Sequence, residues 1–153
     1  MLSPEMTASP VAFDLIRKWE SQKLECYLCP AGKPTIGYGH TGPDVTMQSK
    51  PITVDQAEAL LKLDVMKFSR EVSNMLLRRP RQAQFDALVS FAFNLGSDAL
   101  KKSTLLRLIN SDQCRPAADE FPKWIHAKDQ TGKLVPLEGL RRRRAEERAL
   151  FIS

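Results

Sequence analysis

The sequence has no apolar run near the roughly 20 residues a bilayer-spanning helix needs, which excludes a helical membrane protein. Cysteine is scarce and odd in number, three in 153 residues. That excludes a disulfide-stapled secreted scaffold and points to folding in a reducing cytosol. Cys26 and Cys29 form one Cys-x-x-Cys, but no second such pair and no His-x-x-x-His follows it. A closed zinc site would have to borrow Cys114 with His40 or His126 from far along the chain. The pair also lacks the strand–helix setting of a thioredoxin-type redox centre. No internal repeat or low-complexity tract is present. Residues 1–10 contain Glu5 and two prolines and lack an apolar stretch, so no secretory signal is expected in the chain as it stands. No zinc finger, basic zipper or helix-turn-helix spacing is found, so no nucleic-acid partner is expected.

What remains is ordinary in bulk. The length fits one domain or a small two-lobed one, and 42% apolar residues can build a core. The net charge of +5 suits a polyanionic partner, with plain solubility as the simpler account. Basic residues cluster twice. Arg78, Arg79 and Arg81 flank Pro80, and Arg141, Arg142, Arg143 and Arg144 form a run. The plain reading of that run is a solvated helix face paired with Glu146 and Glu147. The functional reading is contact with an anionic envelope surface.

Ser9-Pro10 starts a helix, with Ser as N-cap and Pro at the first position. Ala12, Leu15, Ile16 and Trp19 form its apolar stripe, and Glu20 closes it beside that stripe. Glycines and prolines then break any helix as far as Pro51. Leu24–Tyr27 and Thr35–Tyr38 are short strand candidates around a Pro-Ala-Gly-Lys turn. Thr53 and Gln56 make a capping box for a long helix running to about Asn74. Residues 82–95 read as a helix apolar nearly all round and closed by Gly96, suited to the centre of a bundle. Shorter helices are expected near 104–109 and 117–124. A loop holding Gly132 and Pro136 precedes a last helix over about 137–151. The fold class is α+β, mainly α: a small lobe over about 20–52, a connecting helix, and a helical lobe over about 80–153 joined by the first helix.

Three residues carry chemistry in a short span. Glu20 is followed nine residues later by Cys29 and six further by Thr35. Cleaving a glycosidic bond needs a proton donor and, on the other face of the sugar, a group that activates water or attacks carbon. A carboxyl on an apolar helix face keeps its proton through desolvation. A thiolate can act as base or nucleophile, and a hydroxyl beside it can hold a water. Each has a plainer alternative: a helix-end glutamate, a small buried thiol, a strand threonine. Gly37 and Gly39 permit tight bending or close approach of a ligand. His40 reads as a loop buttress.

Glu20-x8-Cys29-x5-Thr35, followed by Ile36-Gly37-Tyr38-Gly39-His40, resembles the phage-type lysozymes of glycoside hydrolase family 24, the endolysins. Phe91-Ala92-Phe93-Asn94-Leu95-Gly96, Ser103-Thr104-Leu105, and Gly139-Leu140 with Arg143, Arg144 and Glu147 resemble further family motifs in the same order. The resemblance implies a lysozyme-like two-lobed fold over residues 1–153. It implies a muramidase that hydrolyses the β-1,4 bond between N-acetylmuramic acid and N-acetylglucosamine in peptidoglycan, without a cofactor or metal. Glu20 would be the general acid, Cys29 would stand where Asp is more familiar, and Thr35 would place the water. Thr41, Phe93 and Thr104 match positions that touch glycan, and Asn94 lies beside them as a further candidate. The expected setting is host cytoplasm until a holin opens the way to the wall, with the protein acting as a monomer. Some family members carry a signal-anchor and are caged by thiol exchange, for which Cys26 or Cys114 would be partners of Cys29. The rival readings are a lytic transglycosylase, a cationic wall- or membrane-disrupting protein, and a redox or metal module.

Overall fold

Pro10, its φ preset by the ring, opens α1 (Pro10–Glu20) in the computed structural model, which describes residues 5–153. Residues 1–4 of the stretch read as lacking a signal lie outside the described residues. Ser9 occupies the N-cap, but its side chain does not cap the helix. Its hydroxyl donates to Asp86, and its backbone N–H reaches the same carboxylate at 2.9 Å. The start of α1 is therefore tied to another helix. Ala12 and Ile16 are fully buried, and Leu15 and Trp19 half-buried.

β1 (Lys23–Leu28) and β2 (Pro34–Gly37) form an antiparallel hairpin in which Tyr27 faces Thr35. Its turn closes through Cys29 N–H to Lys33 O at 3.0 Å and Gly32 N–H to Cys29 O at 2.8 Å. At the end of β2, Ile36 and His40 exchange backbone hydrogen bonds at 2.9 Å each way. That tight reversal holds Gly37 and Gly39 at positive φ, where a side chain would be strained.

The capping box forms as expected and starts α2 (Val54–Met75). Gln56 N–H donates to Thr53 Oγ1 at 3.1 Å, and Thr53 N–H to Gln56 Oε1 at 2.8 Å. Its 22 residues extend about 33 Å. One end packs Ala57 under Gly37 of the hairpin. Further along, Ser73 and Ser69 accept the backbone N–H groups of Met6 and Ala8 at 2.8 and 3.3 Å.

α3 (Gln82–Leu95) is the central helix that its sequence announces: Phe85, Leu88, Val89, Phe91 and Ala92 are wholly inaccessible. Around it come α4 (Ser97–Lys101), α5 (Thr104–Asn110), α6 (Cys114–Ala118) and α7 (Glu138–Ile152). α1, α2, α4 and α7 all pack on α3. Phe91 takes Phe121 and Trp124 edge-on, with centroids 5.8 and 5.3 Å away. The architecture is the mainly helical α+β fold expected.

Two local expectations fail. The helix over 117–124 is instead the short α6 and a single 3-10 turn, Phe121–Lys123, with Pro122 inside it. The loop around Gly132 and Pro136 is a second hairpin of β3 (His126–Lys128) and β4 (Leu134–Pro136). Asp129 closes its turn by accepting the N–H groups of Thr131 and Lys133 at 2.8 and 3.1 Å.

Candidate active site

Glu20 is the last residue of α1, where the helix end meets the first hairpin and α7. Its side chain is 18% exposed. Oε1 accepts a charged hydrogen bond from Arg143 Nη1 at 2.7 Å. Oε2 lies on the backbone of Gly39, so closely that a Cβ there would stand 2.6 Å from it. The apolar surroundings expected for Glu20 are thus corrected. α7 docks along α3 and delivers a guanidinium to the end of α1 from 123 residues away.

Cys29 begins the hairpin turn, one residue past β1. Burial is the largest single influence and raises a thiol. Backbone hydrogen bonds from Lys33 and Ala31, the Thr35 hydroxyl and the Lys33 charge together outweigh it, so the Cys29 thiol lies below its ordinary value. Thr35 is 2% exposed; its hydroxyl donates to the Lys33 carbonyl at 2.9 Å and is one of the groups that lower the Cys29 thiol. Tyr27, cross-strand from Thr35, joins the group to Glu20. Burial first, then the charges of Glu20 and Cys29, raise its phenol and keep it neutral. An open cavity of about 590 Å³, lined by residues 22–27, reaches this group at Tyr27. A cavity of about 860 Å³ between the second half of α2 and the α3–α4 junction is lined by none of Glu20, Cys29 and Thr35.

His40 is a buttress. Its Nδ1 contacts Asp64 of α2 at 2.7 Å and its Nε2 contacts Asp44 at 2.9 Å. The Asp64 hydrogen bond, opposed by burial and reinforced by Asp44, lifts the imidazole to about 9. At neutral pH it is a cation donating from both nitrogens.

The matched glycan positions separate. Thr41 follows His40 and is exposed. Phe93 is half-buried against Phe68, with centroids 5.3 Å apart. The Asn94 side chain accepts from Arg144 and belongs to the network beneath the site. Thr104 is exposed at the first residue of α5, behind Ser103, whose hydroxyl caps that helix by accepting Leu106 N–H at 3.0 Å.

The arginine run needs the second correction. Arg141 and Arg142 are exposed and pair with Glu138 at 3.4 and 3.3 Å. Arg143 and Arg144 are 3% and 0% exposed and cannot meet an envelope surface. They close on Glu147, which is wholly buried: Arg144 Nε lies 2.9 Å from Oε1 and Arg143 Nε 3.4 Å from Oε2. Ser90 of α3 donates to Glu147 Oε2 at 2.6 Å, and Arg143 Nη2 donates to the Ser90 carbonyl at 3.1 Å.

Tyr27, Ser90, Arg143 and Glu147 are site-forming residues that the sequence reading passed over as such. Signals existed: Tyr27 two residues before Cys29, a serine inside an otherwise apolar helix, and Arg143 four residues before Glu147.

The three cysteines are free thiols, and the Cys26 sulfur lies 3.8 Å from that of Met47. Among the described residues no three His, Cys, Asp or Glu side chains converge as metal ligands, and no helix is long and apolar enough to cross a membrane.

Comparison with known proteins points one way. Residues 17–147 match the family described as phage lysozyme. The chain is 42% identical over 150 residues to the endolysin of Bacillus phage B103, covering 97% of this chain but only 55% of that protein. It is 41% identical to the endolysin of Acyrthosiphon pisum secondary endosymbiont phage 1, covering 91% of this chain and 93% of that one. Among solved structures, the muramidase domain of SpmX from Asticaccaulis excentricus superposes with a TM-score of 0.86 at 35% identity, covering 96% of this chain and 98% of that domain. The chain thus spans about half the length of the Bacillus phage relative and nearly all of the other two.

Proposed function

This chain belongs to the phage lysozyme family, and we propose that it is an endolysin hydrolysing the β-1,4 bond between N-acetylmuramic acid and N-acetylglucosamine in peptidoglycan. One observation carries the reading. A carboxyl at the end of α1, held by Arg143 against Gly39, lies beside the hairpin whose turn carries the Cys29 thiol, lowered from its ordinary value, and the buried Thr35 hydroxyl.

In this mechanism Glu20 gives its proton to the glycosidic oxygen as the bond to the anomeric carbon breaks. Arg143 stabilises the carboxylate left behind. On the opposite face the Cys29 thiolate removes a proton from the attacking water, and Thr35 orients that water through its hydroxyl. A direct attack of the thiolate on the anomeric carbon, followed by hydrolysis, would retain rather than invert configuration. The glycan lies over Tyr27, with Thr41 and Phe93 on its flanks. The protein acts as a monomer, waits in the host cytoplasm and reaches the wall once a holin has opened the membrane.

The decisive experiment is digestion of purified peptidoglycan with product analysis. Reducing muramic ends, lost in Glu20→Gln while its circular dichroism and melting stay unchanged, are the expected result. Anhydro-sugar ends would identify a transglycosylase. Cell lysis surviving Glu20→Gln would identify a membrane-disrupting protein.

A further inference from the structure

Helix α3 is apolar nearly all round, yet Ser90 sits at its middle with no exposure. Opposite, α7 turns two arginines and a glutamate inward. The chain of contacts is continuous: Ser90 Oγ to Glu147 Oε2 at 2.6 Å, Glu147 to Arg143 and Arg144, and Arg143 to Glu20 at 2.7 Å. Arg144 also donates to Asn94 and lies over the Phe91 ring, 5.2 Å from its centroid.

The charges form a closed count. With Glu20 ionised, two guanidiniums face two carboxylates. With Glu20 protonated, one positive charge is left over in the buried arginine cluster. Arg144 is itself pushed down to about 10, chiefly by burial, and Glu20 is among the charges acting on it. Burial drives the Glu147 carboxyl upward, while both arginines and Ser90 pull it back. Losing that charge would leave the buried Arg144 without a carboxylate partner beside Arg143, so Glu147 is read as an anion.

Buried ion clusters are poor devices for stability, because well-packed apolar residues of similar volume do as well or better. The alignment here is also imperfect. Arg144 Nε and Glu147 Oε1 are within ion-pair distance but lack hydrogen-bond geometry, and Arg144 Nη1 has no partner. What apolar residues could not do is set the potential at Glu20.

We propose that Glu147 is a positioning residue for the acid. It anchors Arg143 in line with Glu20 and offsets one of the two arginine charges that the acid faces. The proposal rests on the reading of Glu20 as the general acid. The groups that face Glu20 are Tyr27 from β1, the Gly39 backbone, and Arg143 and Arg144 from α7; Glu147 reaches it only through those two arginines.

The test is the basic limb of the kcat/KM profile on solubilised glycan, with the 13C titration of the Glu20 carboxyl measured in parallel. Glu147→Gln removes a negative charge, and both midpoints fall by about one pH unit, the lower end of what a near charge does. Arg144→Gln removes a positive charge, and both rise. The double variant Arg144→Gln with Glu147→Gln restores the wild-type midpoint. If Glu147→Gln does not fold, the upward shift in Arg144→Gln still tests the idea. Unmoved midpoints, or shifts of one sign in both single variants, overturn it; a neutral Glu147 would give the unmoved result. A wild-type protein that cleaves no glycan sinks the functional reading alone, because the carboxyl titration still reports on the cluster.

Discussion

Gly39 carries two demands at once. It holds φ +73°, and its missing side chain is the space the Glu20 carboxylate fills. Gly39→Ala therefore meets backbone strain of about 1–2 kcal/mol and displaces the acid, and kcat/KM should fall by about 100-fold. Gly32, at φ +79°, is the control, for a Cβ there meets nothing within 4 Å. Gly32→Ala should lose similar stability in urea titrations and keep its specific activity. A variant pair equally active per folded molecule would show that Gly39 serves only the turn. Cys29 offers a second residue-scale prediction. Cys29→Asp should stay active, an acid replacing an acid, whereas Cys29→Ala should not; alkylation of Cys29 should saturate at lower pH than alkylation of a free thiol. Cys29 and Thr35 were visible as a spaced pair in the sequence. The guanidinium partner of Glu20 was not, because nothing local in residues 10–20 encodes a side chain arriving from residue 143.

Among elements, α2 meets the small lobe through Ala57 under Gly37 and through an ion pair of Asp64 with His40. His40 lifted from 6.5 to about 9 by Asp64 and Asp44 corresponds to at most about 3 kcal/mol. Since the folded-state value is the higher one, that contribution is complete below about 6.5 and disappears as pH rises through about 9. Urea unfolding between pH 6 and 10 should follow that decline. Asp64→Asn should flatten it and destabilise the protein most at the acid end; an equal loss at both ends would exclude the pair as the cause. The start of α2 was legible because a capping box is a local signal, and α3 because its apolar circumference allows only a central place. The arginine run was misread for a geometric reason. Successive helical residues advance about 100°, so four of them circle the helix and cannot share a face. Arg141 and Arg142 look out, and Arg143 and Arg144 look in. The β3–β4 hairpin escaped because its strands are three residues each and mostly exposed, with too little alternation to detect.

At the scale of the whole molecule, the formal charge of +5 overstates any single patch. Arg143 and Arg144 are consumed internally, and many of the remaining arginines lie beside carboxylates, such as Arg17 with Glu58 at 2.8 Å and Arg148 with Asp119 at 2.9 Å. Attraction to an anionic wall should therefore be modest and diffuse. Wall digestion should slow by about two- to fivefold between 0.01 and 0.15 M salt. The double variant Arg141→Glu with Arg142→Glu should raise KM at low salt and leave kcat unchanged. A kcat effect would mean that these side chains reach the bound sugar.

The contact between Arg143 and Glu20 has one more consequence. Its two halves lie 123 residues apart in sequence, so a polypeptide still leaving the ribosome owns the acid without the cation that steadies it. Catalytic competence should then arrive only once α7 has been made and has docked. A fragment clipped ahead of that helix, even with its hairpin formed, would be an inert copy.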